Sequence, residues 1–232
     1  MAGVITHMVI AREIGKRLPE KTITDMNLFY LGNLAPDSIH AREGYIRTYK
    51  KHTHFRDDIL DKDFGREENL AIFHDRIAQF IIENRERNDG LLDLYRGYVS
   101  HILTDELFML TIREEFCKVM KHQGIEQSDP LFFEYIVTDM NRNDMLLVEN
   151  YEGSEEIRVG MEQVHIYPIT GYLSEEEMCT SRNWLVRQHF YEKNKFLQPR
   201  FISYERTLEF VQMAADNIVE RLSEGNSLPK MF

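Results

Sequence analysis

The chain has 232 residues, of which 43% are hydrophobic and 29% charged, and its formal net charge is -11. This length and composition are typical of one globular domain and exclude a disordered or fibrous protein. The negative charge argues against a general nucleic-acid binder, because an acidic surface repels the phosphate backbone. We therefore expect one domain over residues 1–232 and no stable binding of nucleic acid.

No apolar run approaches the roughly 20 residues that span a bilayer, and residues 1–18 carry charged side chains within their apolar pattern. We expect neither a signal peptide nor a membrane span, and hence a cytoplasmic protein. Cys117 and Cys179 lack a CxxC spacing, so a disulfide framework and a thiolate zinc site are not expected. Nine histidines favour nitrogen and oxygen ligands for any metal.

Hydrophobic spacing and capping residues predict helices along the whole chain. Single helices are predicted over residues 3–18, 22–34, 69–87, 130–148 and 203–222. Residues 91–120 are expected to form one or two helices, and another helix begins after Ser174. Between them we expect an ordered polar loop with short helical turns at 38–63. Residues 151–173 contain Gly153, Gly160, Pro168 and Gly171 and alternate weakly, so we expect a long loop or a small hairpin there. The sequence thus predicts an all-α, single-domain, multi-helix bundle that encloses a metal site.

The strongest chemical signal is the pair His101 and Asp105, four residues apart in a nearly apolar segment. Helical spacing places both side chains on one face, roughly 5–6 Å apart at Cβ, where they can bind one metal ion. A buried, unpaired carboxylate is costly, so Asp105 requires a cation or a set of hydrogen-bond donors. The alternative is an internal hydrogen bond between the two side chains without a metal. The spacing alone does not distinguish a metal site from such a hydrogen bond.

Three further residues are candidate ligands. His7 lies in the first predicted helix beside its apolar stripe, Asp37 follows Pro36 at the end of the second helix, and His54 lies in the polar loop. Each has an ordinary structural alternative: a core histidine, a turn or capping residue, and a solvated histidine.

Four segments in order resemble the bacterial zinc-dependent phospholipase C family, including its intracellular members. They are Thr6-His7-Met8, Gly32-Asn33-Leu34-Ala35-Pro36-Asp37, Lys51-His52-Thr53-His54-Phe55, and Gly97-Tyr98 through Asp105. The resemblance covers about the first 110 residues. In that family, and in the single-strand-specific nucleases that share its fold, such residues hold a cluster of zinc ions inside a helical bundle.

The resemblance implies that Asp37, His54, His101 and Asp105 hold one metal, while His7 and a bridging Asp105 contribute to a second. Zinc suits such a shell of histidine and carboxylate ligands, and iron or manganese could also occupy it. The implied activity is hydrolysis of a phosphoester by a metal-activated water, which Asp37 would also orient. The implied substrate is a small phosphoester or a phospholipid head group.

The sequence departs from the family pattern in two ways. Secreted members use a processed N-terminal residue as a ligand, whereas this sequence suggests no processed amino end. The chain has Thr111 where another ligand histidine would follow Asp105. His122 and Glu126 are four residues apart, but Gly124 between them disfavours the helix that would place both as metal ligands.

Two alternative functions remain open at this point. One is an HD-type metal phosphohydrolase, in which the dipeptide His74-Asp75 would join His52 or His54 and a later Asp105 or Asp139. Against it, the inward positions of the helix carrying His74 are already apolar, which favours a surface His-Asp pair. The other is a metal-binding interaction module without catalytic activity, which the missing late ligands favour.

Overall fold

A computed structural model describes residues 2–192, 197–224 and 228–232. Within these ranges the structure is helical, and β-structure is limited to one isolated bridge between Ile169 and Leu173. The α-helices are α1 (Val4–Arg17), α2 (Met26–Leu34), α3 (Arg47–Thr53), α4 (Glu67–Arg85), α5 (Leu92–Leu110), α6 (Ile112–His122), α7 (Pro130–Asn150), α8 (Ser154–Gln163), α9 (Glu175–Leu185) and α10 (Tyr204–Glu224). The predicted all-α, single-domain bundle is confirmed.

Three shorter helical segments join these elements. They are the 3₁₀ helices Ala35–Ala41 and Asp61–Asp63 and the π-helical segment Val186–Tyr191. The polar region 38–63 therefore contains helical turns, as predicted. The region 91–120 forms two helices, because the chain leaves α-helical geometry at Thr111 (φ -122°, ψ -82°).

Helix α5 lies at the centre of the bundle, as its apolar sequence predicts, and α2 packs along it. The two backbones meet at Gly32 of α2 and Gly97 of α5. A Cβ atom on Gly97 would lie 2.8 Å from the Cα atom of Gly32, closer than real Cβ contacts allow. The absence of side chains at both positions therefore lets the helices touch, and this contact brings the end of α2 next to the middle of α5.

The prediction for residues 151–173 is wrong in part, because residues Ser154–Gln163 form helix α8. Its inward face includes Ile157 and Met161, which are fully buried one turn apart. Gly160, which the sequence suggested as a turn residue, instead allows close packing on α2: a Cβ there would lie 2.7 Å from Oδ1 of Asn27. Only the segment around the Ile169–Leu173 bridge resembles the small hairpin that we expected.

The start of α1 is anchored by Asp144, a buried carboxylate of α7. Its oxygens accept hydrogen bonds from the backbone N–H groups of Ile5 (3.0 Å) and Thr6 (2.9 Å), and from the Thr6 hydroxyl (2.9 Å). The first N–H groups of a helix have no partner within it, so this carboxylate satisfies donors that would otherwise be buried and unpaired. Asp144 thereby fixes the helix turn from which His7 projects.

We expect Asp144→Ala to lower the free energy of unfolding by about 2 kcal/mol, because it leaves several buried donors without an acceptor. Urea unfolding followed by circular dichroism measures this change. The control is Glu149→Ala, an exposed carboxylate on the same helix, which should change stability by less than about 0.5 kcal/mol. Equal stability of the two variants would contradict the anchoring role.

In the part of the chain that the structure describes, no helix combines the length and the apolar character needed to cross a bilayer.

Candidate metal centre

Five predicted ligands, carried by four separate segments, come together inside the bundle. His7 lies on α1, Asp37 in the 3₁₀ helix after α2, and His54 directly after α3, while His101 and Asp105 lie on α5. The side chains of four of these residues are at most 8% exposed, and that of Asp37 is 19% exposed. The structure thus brings the five predicted residues close together.

The potential ligand atoms form two groups of three. His7, His101 and Asp105 make one group, and Asp37, His54 and His101 make the other. Within each group the atoms lie within 4.8 Å of one another. His101 belongs to both groups, and Asp105 also approaches the second, because its Oδ2 lies 3.5 Å from Nε2 of His54. A buried group of histidine and aspartate side chains in this protein could thus hold a metal ion.

The turn that carries His54 is tied to its neighbours by the adjacent Thr53. The Thr53 hydroxyl donates to the backbone carbonyl of Pro36 (2.9 Å), next to Asp37. The Thr53 carbonyl accepts from the hydroxyl of Tyr98 on α5 (2.5 Å). These two bonds connect the segments carrying Asp37, His54 and His101.

Hydrogen bonds to backbone carbonyls determine which nitrogens of two histidines carry protons. Nδ1 of His101 lies 2.7 Å from the carbonyl oxygen of Asn33, and Nδ1 of His54 lies 2.9 Å from that of Lys50. A carbonyl oxygen only accepts, so each Nδ1 is protonated and, in a neutral ring, each Nε2 presents a lone pair. Such bonds commonly orient metal-binding histidines.

The two Nε2 atoms of His54 and His101 lie only 3.2 Å apart. With both Nδ1 atoms protonated, no proton is available between them if the rings are neutral, so two lone pairs face each other. Burial, together with the nearby Lys50 ammonium, lowers the pKa of His54 to about 4 despite the opposing effect of Asp37. Burial and the neighbouring His7 hold the pKa of His101 well below its usual range. Neutral rings in this arrangement favour a cation between them.

The two carboxylates are ionised. Burial alone would raise the pKa of Asp37, but the Lys50 ammonium and the side chain of His54 lower it well below its usual value. Burial opposes ionisation of Asp105 in the same way, but its pKa is held well below its usual value, with a contact to His7 among the causes. The centre thus combines neutral imidazoles with anionic carboxylates, the protonation states in which both bind metals.

Several buried polar atoms of this centre have no hydrogen-bond partner among the described residues. They include both ring nitrogens of His7 and Oδ2 of Asp105. The other oxygen, Oδ1, accepts from the backbone N–H of Ala2 (2.9 Å) and lies 3.3 Å from Nε2 of His7. The His7 ring stacks on His101 with centroids 3.8 Å apart. Leaving buried polar groups unpaired is costly, so these atoms also fit metal ligands.

The spacing of the donor atoms also fits a metal. Two ligand atoms bound to one tetrahedral zinc at about 2.0–2.1 Å lie roughly 3.3 Å from each other. The distances in the centre are 3.2 Å between the Nε2 atoms of His54 and His101, and 3.3 Å between Nε2 of His54 and Oδ1 of Asp37. The donor types and their spacing therefore suit zinc, and the donor types also suit iron or manganese.

Sequence reasoning missed Lys50, which is buried and whose Nζ lies 2.5 Å from Oδ1 of Asp37. Within the run Lys50-Lys51 the residue resembled a solvated surface lysine.

The structure places the other candidate residues outside both ligand groups. Nε2 of His74 lies 2.6 Å from Oε1 of Glu106, and Oε2 of the same carboxylate accepts a hydrogen bond from Arg221. Asp75 is exposed. Neither residue of the dipeptide that the HD-type alternative requires belongs to a ligand group. His52 is exposed and contacts Asp57.

Three further positions have structural partners instead of a place in the centre. Asp139 accepts from the backbone N–H groups of Arg200, Phe201 and Ile202. His122 is exposed and its Nδ1 contacts the Lys118 carbonyl, while the Thr111 hydroxyl donates to the Leu107 carbonyl.

We compared the chain with protein-family models, with curated proteins and with solved structures, and none of these comparisons gives a significant match.

Proposed function

We propose that the protein is a metal-dependent phosphoester hydrolase, with zinc as the metal and a small phosphoester or phospholipid head group as the substrate. The observation that carries the proposal is the 3.2 Å approach of the His54 and His101 Nε2 atoms beside the carboxylates of Asp37 and Asp105. The reaction class is supported by the resemblance of the four ligand-bearing segments to the zinc-dependent phospholipase C family.

In this proposal Asp37, His54, His101 and Asp105 hold one metal, and His7 and Oδ1 of Asp105 contribute to a second. A metal bound there would lower the pKa of a water molecule and polarise a phosphoryl oxygen. The hydrogen bonds from His54 and His101 to backbone carbonyls keep both rings in the orientation that binding requires.

Asp37 is the ligand that we propose to act on the attacking water. Its side chain is the most exposed of the five, at 19%, so it is the ligand that water reaches most easily. Its carboxylate can accept a hydrogen bond from that water and direct the oxygen lone pair towards phosphorus.

The test is hydrolysis of simple aryl phosphomonoesters and phosphodiesters by protein loaded with zinc or manganese. We expect turnover that chelation abolishes and that metal restores. Asp105→Asn should reduce the rate by at least about 100-fold, because the metal and the charge that it carries are lost. If the fully metallated protein turns over no phosphoester in a broad panel, the proposal is wrong.

One observation favours a metal-binding module without catalytic activity. The Lys50 ammonium already pairs with Asp37, so this carboxylate has a cationic partner within the protein. Stoichiometric metal without turnover in the same experiment would support that function.

A further inference from the structure

A cleft of about 910 Å³ opens on the side of the bundle next to the metal centre. One wall comes from α3 and the loop that follows it, and the other from α6 and the first turns of α7. Six basic residues line it: Arg47, Lys50, Lys51, Arg56, Lys62 and Arg113. We call this space the basic cleft.

The charge of the basic cleft is opposite to that of the protein. Its lining includes six lysine and arginine residues but only three carboxylates, Asp61, Glu126 and Asp129. The whole chain has 28 basic and 39 acidic residues. A cleft with an excess of one sign of charge focuses the field and raises the local concentration of ions of the opposite sign. The ligand of this cleft should therefore be an anion.

Two of the basic side chains are well placed to receive such an anion. Neither Lys62 nor Arg113 forms an ion pair with any residue in the described ranges, whereas Asp61 pairs with Arg47 (2.7 Å) and Arg56 (3.6 Å). Lys62 is exposed, and the Arg113 guanidinium lies over the ring of Phe132, 5.5 Å from its centroid.

The inner end of the basic cleft adjoins the metal centre. Lys50 lines the cleft and pairs with Asp37 at 2.5 Å. Arg56 also lines a small cavity whose walls include His54 and Asp105. An anionic group at this end would therefore lie beside the proposed metal ligands, while the pair Lys62 and Arg113 remains available for a second group.

Part of the cleft is apolar. Phe132, Ile136 and Met109 contribute to its lining, and so does Phe133, which is 58% exposed although it is a large aromatic residue. Pockets that combine apolar walls with a few charged groups are typical of small-molecule sites, and their volumes are about 300–1,000 Å³. The ligand therefore has an apolar or aromatic part as well as its negative charges.

We propose that the basic cleft binds a small organic phosphate that carries at least two negatively charged groups on an apolar or aromatic moiety. The hydrolysis of this ligand rests on the proposed hydrolase function, whereas its binding does not. One anionic group lies at the inner end, and Lys62 and Arg113 receive the other. A long polyanion or an anionic bilayer would extend beyond the cleft onto a chain whose net charge is -11, which disfavours both.

The test measures binding to chelator-treated protein by titration calorimetry, with a nucleoside 5′-diphosphate as the probe because it combines two phosphates with an aromatic base. Inorganic phosphate, a single-stranded oligonucleotide and phosphatidylglycerol vesicles are the comparison ligands. The cleft variant is Lys62→Gln with Arg113→Gln. Its matched control is Lys118→Gln with Lys121→Gln, which removes the same charge from exposed positions of α6 outside the cleft.

We expect the diphosphate to bind more tightly than inorganic phosphate, and its affinity to fall about tenfold in the cleft variant but not in the control. Absence of binding, or equal binding by both variants, would overturn the proposal, as would tighter binding of the oligonucleotide or the vesicles. Because the protein is metal-free, these outcomes do not depend on catalysis. Binding without metal-dependent hydrolysis in the loaded protein would refute the proposed function alone.

Discussion

Asp105→Asn and His101→Ala are expected to lose bound metal, with a fall in metal affinity of at least about 100-fold. Asp105 belongs to one ligand group and approaches the other, so Asp105→Asn removes one negative charge that both groups share. The side-chain volume stays the same. His101 belongs to both groups, and its loss leaves each with two members. Metal content of folded protein, measured by elemental analysis after equilibration with zinc at equal concentration, gives the result.

The matched control for Asp105 is Asp93, another buried carboxylate of α5. It accepts hydrogen bonds from the backbone N–H groups of Thr24 and Asp25 and pairs with Arg96. Asp93→Asn should therefore lower stability but leave the metal content unchanged. Metal loss in both variants would indicate a general effect of disturbing α5 rather than removal of a ligand.

His74→Ala separates the proposed site from the HD-type alternative. His74 contacts Glu106 and belongs to neither ligand group, so this variant should retain its metal. In an HD-type site His74 and Asp75 would be ligands, and either substitution would empty the site. Metal loss in His74→Ala with retention in His101→Ala would decide in favour of the HD-type site.

Gly97→Ala is expected to lower the free energy of unfolding by about 3 kcal/mol, which corresponds to roughly 10 °C in Tm. The added Cβ would lie 2.8 Å from the Cα atom of Gly32 and 2.9 Å from the backbone nitrogen of Asn33. Backbone atoms cannot move aside as a flexible side chain can, so α2 and α5 must separate. Thermal unfolding monitored by circular dichroism measures the loss.

Gly65→Ala is the matched control for this prediction. Its added Cβ would meet only a side-chain methyl group of Leu110, at the ordinary contact distance of 3.4 Å. We expect a change in stability of less than about 0.5 kcal/mol.

The Gly97→Ala variant should also bind metal more weakly, because the Asn33 carbonyl that orients His101 moves with α2. A stable Gly97→Ala variant would contradict the close crossing of these helices.

The candidate ligands could be recognised from sequence because several lie in short, ordered motifs. His101 and Asp105 share a helix face through their spacing alone, and Asp37 follows Pro36 in the 3₁₀ helix directly after α2. The same local reasoning failed at residues 151–173, where Gly160 suggested a turn. A glycine that permits close helix packing cannot be distinguished by local sequence from a glycine that permits a turn.

By itself, the sequence determined the positions of most helices, because apolar periodicity and capping residues act within a few turns of the chain. It also supplied the five ligand candidates. Only the tertiary structure decided that they meet, because convergence depends on the contact between α2 and α5 and on the anchoring of α1 by Asp144. The tautomers of His54 and His101 depend on hydrogen bonds to carbonyl groups. The ion pair of Lys50 likewise depends on the fold, because its partner Asp37 lies 13 positions earlier in the chain. The basic cleft likewise forms only when folding places Arg113 opposite the charged loop, since electrostatic focusing depends on distances in space and not on sequence order.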